Sequence, residues 1–125
     1  MKDKYYDRSV IDVFDETCAK YPNNNAFSCM GRTLRFAEIN RLSAKFAAYL
    51  QTQTNLQPGD RIAIQMPNIL QYPVALFAAL RAGLVVVNTN PLYTPREIKH
   101  QLVDSGAKVL IVLANVAEAA AEILE

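Results

Sequence analysis

Three short apolar runs in the second half of the chain decide what it can fold into: Arg61–Met66 (RIAIQM), Leu84–Asn88 (LVVVN) and Lys108–Leu113 (KVLIVL). Each has the length of a strand, and the last two are apolar without alternation, the pattern of strands covered on both faces. The stretches between them read as helices. Ile69–Ala82 is apolar nearly all round, so it reads as a helix buried on more than one side. Its start falls near Asn68 or Tyr72, because Pro73 is tolerated only in a first turn. Thr94–Pro95–Arg96–Glu97 is a helix start, with a Thr cap, Pro at the first position and Glu at the third. That helix runs to about Asp104, and Gly83 and Gly106 stop the two helices. Asn115 can cap a last helix, with Glu118 at its third position and an apolar face of Val116, Ala119, Ala120, Ile123 and Leu124. Strand and helix thus alternate through residues 60–125, which predicts a parallel sheet with right-handed crossovers.

The first half has a different texture. Ser9–Tyr21 reads as a helix with a Ser9–Asp12 capping box and with Val10, Val13, Phe14, Thr17, Cys18 and Tyr21 on one face. Ala26–Met30 and Thr33–Phe36 read as two strands joined at Gly31–Arg32, with glycine at the first central position of the turn. A second helix follows from Phe36 to Gln51, with Ile39, Leu42, Phe46, Ala47 and Leu50 as its core stripe. A polar loop, Thr52–Gln57, leads into Pro58–Gly59–Asp60. The expected architecture is α/β: a helix–hairpin–helix segment over residues 1–57, then a βαβαβα parallel unit over 58–125, the latter cut short at its C-terminal end.

Charge and composition exclude several functional classes. With 13 Lys and Arg against 12 Asp and Glu, the net charge is +1, without the basic excess of a nucleic-acid-binding module. Half the residues are hydrophobic (51%), so the chain is neither a disordered tail nor a coiled coil. The charged N-terminus MKDKYYDRSV is no secretory signal. The most apolar stretch, Tyr72–Val87, falls short of the ~20 residues of a membrane span and carries Arg81, which costs about 2.5–3.5 kcal/mol on insertion scales. A cytosolic location follows as the expectation.

Candidate chemistry is sparse. Cys18 and Cys29 lack CxxC spacing and read as reduced thiols, and with His100 as the one histidine a zinc site is not expected. His100 lies off the Ile98–Leu102 stripe and reads as a solvated surface residue. No GxSxG elbow surrounds Ser9, Ser28, Ser43 or Ser105. Arg96, Lys99 and His100 near a helix start could attract an anion, although solvated surface charge is the commoner role. Tyr5 and Tyr6 sit in a terminal arm whose default is to be untethered. The glycines Gly31, Gly59, Gly83 and Gly106 are too far apart for GxGxxG or a P-loop. The densest odd stretch, Asn88 to Pro95 (NTNPLYTP), sits at the carboxyl end of a predicted parallel strand, where ligand crevices form in open α/β sheets. Its plainer reading is a rigid strand-to-helix connection whose Asn side chains satisfy turn amides.

The same stretch carries a resemblance. GDRIAIQMPN and ALRAGLVVVNTNPLYTPREIKHQLVDSGAKVLIV resemble the adenylate-forming acyl-CoA synthetases, most closely the bacterial long-chain fatty-acid–CoA ligases. TLRFAEINRLSAKFAAYL, residues 33–50, is similar to the same family, with Arg35 where a capping Thr or Ser is usual, so that helix is expected to lack a side-chain cap. The likeness extends over about residues 9–120. The Leu80–Gly83 step into Pro91 is shared across the superfamily, whereas Asn90 to Glu97 is narrower, shared by fatty-acyl and 4-coumarate-type ligases.

The resemblance implies a two-step reaction for a parent enzyme. A fatty acid and Mg-ATP give an acyl-adenylate and pyrophosphate, and coenzyme A then displaces AMP. The family's phosphate loop, nucleotide contacts, magnesium-binding Glu and Lys-bearing C-terminal domain have no counterpart within residues 1–125. No catalytic, cofactor-binding or metal-binding residue is therefore assigned to this chain. The expectation is an inactive N-terminal fragment whose parent uses ATP, magnesium and coenzyme A. The parent is expected in the cytoplasm, with peripheral attachment at the inner face of the membrane and homodimerisation both compatible with the resemblance. Uncovered apolar faces predict that the isolated chain self-associates. The alternatives are a segment of a 4-coumarate-type ligase or peptide-synthetase adenylation domain, and a stand-alone α/β binding module of flavodoxin or receiver type. The latter lacks support, since Met66–Pro67–Asn68 stands where a receiver has paired acids.

Overall fold

The computed structural model describes residues 8–67 and 69–112. The predicted helix beginning at Asn115, and Tyr5 and Tyr6, lie outside the described residues. Helix α1 (Val10–Lys20) opens with the expected box: Ser9 Oγ accepts from the Asp12 N–H at 3.2 Å, and the Asp12 carboxylate accepts from the Ser9 N–H at 3.3 Å. Phe14 and Cys18 are its buried positions. Val10 and Tyr21, expected on that face, are 63% and 53% exposed, because they sit at the two ends of the helix, beyond the width of what it packs on.

Strands β1 (Asn25–Cys29) and β2 (Arg32–Arg35) pair antiparallel, with Cys29 opposite Arg32. The turn residues are therefore Met30 and Gly31, not Gly31 and Arg32 as expected. Both have positive φ, 52° and 79°, the signature of a type I′ hairpin whose twist matches its strands. Helix α2 (Phe36–Gln53) follows without a break and runs two residues past the expected Gln51. Arg35 supplies no oxygen to cap it, as expected. The Glu38 carboxylate accepts from the Arg35 N–H at 3.3 Å, which keeps half of a capping box.

The second half is a three-stranded parallel sheet in the order β4-β3-β5, where β3 is Arg61–Gln65, β4 is Val85–Asn88 and β5 is Val109–Val112. Ile62 faces Val86 on one side and Val109 on the other. Helix α3 (Gln71–Arg81) joins β3 to β4, and α4 (Pro95–Ser105) joins β4 to β5. Helix α3 begins at Gln71 rather than Ile69, so Pro73 occupies its third position, inside the first turn as required. Helix α4 matches its predicted signals: Thr94 Oγ1 accepts from the Glu97 N–H, Pro95 is the first residue, and Gly106 closes the helix at φ 73°.

Because β4 and β5 flank β3, the two crossovers run in opposite directions, and crossovers of one hand put α3 and α4 on opposite faces. On the α3 face, α2 and α3 lie together and bury Ala47, Leu50, Ile62, Ala78, Ala79 and Leu84 in one core. A second core, of Phe14, Cys18, Leu34 and Ile39, fastens α1 and the hairpin to the same helices. Only the central strand, β3, is buried along its length, from Ile62 to Gln65. The expectation that β4 and β5 are covered on both faces fails at both, because they are the outer strands of the described sheet: Val85 is 48% exposed, and every residue of β5 is only half-buried. Leu56, in the stretch read as a polar loop, is buried in the first core. Among the described residues no helix is long and apolar enough to cross a membrane.

Candidate functional site

The carboxyl ends of β3 and β4 lie side by side, and crevices of open α/β sheets form outside the carboxyl ends of their strands. The stretch Asn88–Pro95 leaves the sheet there and is held by hydrogen bonds from three elements. Tyr72 Oη of α3 donates to Asn88 Oδ1 at 2.5 Å. Gln101 Nε2 of α4 donates to the Asn88 carbonyl at 3.2 Å, and Gln65 Nε2 of β3 donates to the Asn90 carbonyl at 3.3 Å. The Thr89 N–H continues the sheet ladder to the Ile64 carbonyl at 2.9 Å. Asn90 Oδ1 accepts from the Leu92 N–H at 2.9 Å, an Asx turn that satisfies the loop's own amides. The Asn90 side chain thus satisfies a turn amide, as the plainer sequence reading has it, whereas the Asn88 side chain is held by the Tyr72 hydroxyl instead.

The sequence does not mark Gln65, Tyr72 and Gln101 as anchors of this loop. Gln65 could have been found, since it is the one polar side chain between Ile62 and Met66 of an otherwise apolar strand. Its side chain is buried and its amide is spent on the loop. Two further polar atoms here, Thr89 Oγ1 and Gln101 Oε1, are buried without a hydrogen-bond partner among the described residues. The groups at this end of the sheet are amides and hydroxyls. They can hold a backbone in place, but they include no nucleophile–base pair and no cation for a phosphate.

The remaining candidates are scattered. His100, Lys99 and Arg96 are all exposed on α4. Ser9 caps α1, and the Ser28 hydroxyl meets Thr33 Oγ1 at 2.7 Å on the hairpin. Ser43 is fully buried and donates to the Asn40 carbonyl at 3.1 Å. Ser105 Oγ accepts from the Ala107 N–H at 3.4 Å at the end of α4. None of these serines is joined to His100 by a hydrogen bond among the described residues. Burial pushes the Cys18 thiol up, and the neighbouring Asp15 carboxylate adds to the shift. Cys18 is therefore a poor thiolate source. Among the described residues no three His, Cys, Asp or Glu side chains come together to hold a metal.

A large concavity among the described residues is apolar. A cavity of about 800 Å3 opens between the hairpin, α2, the start of α3 and the end of β5. Leu34, Leu42, Phe46, Leu70, Val74 and Ile111 line it, with Arg32 as its charged member. Leu42 and Phe46, expected in the core stripe of α2, are only half-buried because they face this opening.

A profile of the AMP-binding enzymes matches residues 14–125. The chain belongs to the AMP-binding enzyme family. Within that family it is 48% identical over 123 residues to the long-chain-fatty-acid–CoA ligase of Escherichia coli O6:H1, covering 98% of this chain and 22% of that enzyme. It is 32% identical over 100 residues to triostin synthetase I of Streptomyces triostinicus, covering 80% of this chain and 19% of that protein. Among solved structures, the apo form of MbtA from Mycobacterium smegmatis superposes with a TM-score of 0.87 at 30% identity, over 94% of this chain and 22% of that one. The chain thus spans about a fifth of the length of the curated relatives it matches. The α/β architecture and the long-chain ligase resemblance both hold.

Proposed function

We propose that this chain is the N-terminal scaffold of the large domain of a long-chain fatty-acid–CoA ligase. The supporting observation is the gap between 48% identity to the E. coli ligase and 32% to triostin synthetase I, each over most of this chain. In the proposed reaction a fatty acid is activated by ATP with magnesium and passed to coenzyme A. Groups that bind triphosphate and metal come from the rest of such an enzyme. The segments 1–57 and 58–125 contribute fold and loop geometry, and no residue among them is proposed as catalytic. The parent works in the cytoplasm, at the inner face of the membrane where its substrates partition, and forms a homodimer. The isolated chain is inactive and self-associates through its open apolar surface.

The experiment is a graft. This chain replaces the matching segment of the E. coli O6:H1 ligase, and palmitoyl-CoA formation is followed with ATP and coenzyme A. Turnover within about tenfold of the parent supports the reading. A chimera that folds with the parent's thermal midpoint yet forms no acyl-CoA overturns it.

A further inference from the structure

The carboxyl end of the sheet carries a polar spot whose hydrogen bonds are incomplete. The register that sets Ile64 beside Asn88 brings Gln65 beside Thr89 one step further on. Both are buried, Gln65 at 3% and Thr89 at 4% exposure. Successive strand residues point to opposite faces, and the Asn88 side chain goes to Tyr72 of α3. Thr89 therefore turns to the other face, the one that α4 covers. There Gln101 Nε2 donates to the Asn88 carbonyl at 3.2 Å, and Gln65 Nε2 donates to the Asn90 carbonyl at 3.3 Å. Thr89 lies between those two carbonyls in the chain. Its Oγ1 and Gln101 Oε1 are both buried and unpartnered among the described residues.

The orientation of the Gln101 amide is settled by its partner. Exchanging Oε1 and Nε2 would set oxygen against the Asn88 carbonyl and lose the donated bond. Gln101 Oε1 can only accept, whereas the Thr89 hydroxyl can donate or accept. A buried polar atom without a partner costs the whole desolvation of that group. Two such atoms flanking one carbonyl call for one small group that donates to Gln101 Oε1 and bonds the Thr89 hydroxyl. Thr89, Gln65 and Gln101 are all neutral, so a cation would lose its hydration there without a counter-charge. Water meets the requirement, since internal waters serve two to four otherwise unsatisfied groups.

We propose that Thr89 Oγ1 and Gln101 Oε1 hold one internal water molecule, which ties α4 to the end of β4. It adds to the bonds by which Gln65, Tyr72 and Gln101 fix the Asn88–Pro95 loop. The water site rests on these contacts alone, whichever enzyme the chain comes from.

The test is a crystal structure of this chain, read together with urea unfolding of Thr89→Val and Thr89→Ser. The expected density is one ordered water within about 3 Å of both oxygens, lost in Thr89→Val and kept in Thr89→Ser. Val matches Thr in shape and suits a strand at least as well, so strand preference does not lower stability in that variant. Thr89→Val should lower the folding equilibrium constant about fivefold or more, because Gln101 Oε1 is left unserved. If instead the two oxygens are bare, Thr89→Val removes a buried orphan and unfolds at a higher urea concentration. That higher midpoint would overturn the proposal. So would a spot without water density, a water touching only one of the oxygens, or stability that rises with potassium chloride but not with N-methylglucamine chloride. If Thr89→Val does not fold, the density in the unaltered chain decides.

Discussion

The rings of Phe14 and Phe77 stack with centroids 3.7 Å apart and planes 7° from parallel. This contact joins α1, in the helix–hairpin–helix segment, to α3, in the parallel unit. It makes the second core a junction between the two halves of the sequence rather than a core of either.

Phe14→Ala should therefore cost about 3 kcal/mol in urea unfolding, the usual loss for a buried ring. Phe77→Ala should cost less, because Phe77 is half-buried. The double variant should fall short of the sum by about 0.5–1.5 kcal/mol, the coupling of a stacked pair.

Arg81 reinforces the same junction. Its Nη2 donates to Asp15 Oδ1 at 3.0 Å and to Asn40 Oδ1 at 2.8 Å, so one side chain at the end of α3 ties α1 to α2. Arg81→Met should cost about 1–2 kcal/mol, since the pair is only partly buried and leaves Asp15 able to reach water. Equilibrium unfolding of the variant checks it.

The hairpin predicts a gain. Met30 holds a φ of 52°, a left-handed region that costs a residue bearing a Cβ roughly 1–2 kcal/mol and suits Asn far better. Met30→Asn creates the favoured Asn-Gly pair and should raise stability by about 1 kcal/mol in the same assay.

That hairpin also marks what the sequence could and could not tell. Its existence was legible from Gly31 between two short runs, but the register was not: Gly31 can serve either central position, and only the Cys29–Arg32 pairing decides between them. Helix α4 was legible almost to the residue because Thr94, Pro95, Glu97 and Gly106 are local signals acting on their own neighbours. The exposure of Val85, Val10 and Tyr21 was not, since it depends on strand order and on where packed elements end. The same holds for the site. The Asn88–Pro95 loop was legible as a fixed connection, but its anchors Gln65, Tyr72 and Gln101 come from three separate elements that only the fold brings together.

Gly83 should resist substitution. It has φ +78°, and a Cβ there would meet Pro58 Cβ at 3.2 Å. Gly83→Ala should cost about 1–2 kcal/mol from the backbone alone, and more if Pro58 cannot yield. Gly31→Ala, with φ +79° and nothing within 4 Å, isolates the backbone cost in a parallel measurement.

Acid should weaken the fold through two carboxylates. Hydrogen bonds from Lys20 and Arg8 hold Glu16 at about 2, below its ordinary 4.5. The Gln57 N–H and then Lys108 hold Asp60 below its usual value as well. Both pKa values are depressed by folding, so their stabilisation is present above the unfolded value and is lost as pH falls through the folded one. Stability should decline between pH 4.5 and about 2, and Glu16→Gln should flatten that decline without changing the neutral-pH slope.

The most direct test of the account is the same graft made in two scaffolds. This chain replaces the matching segment in the E. coli O6:H1 ligase and, separately, in triostin synthetase I, and ATP–pyrophosphate exchange is compared with each parent. A scaffold segment belonging to a long-chain ligase should keep the first enzyme within about tenfold of its parent and lower the second by about a hundredfold or more. Equal losses in both, or better function in triostin synthetase I, would contradict the account.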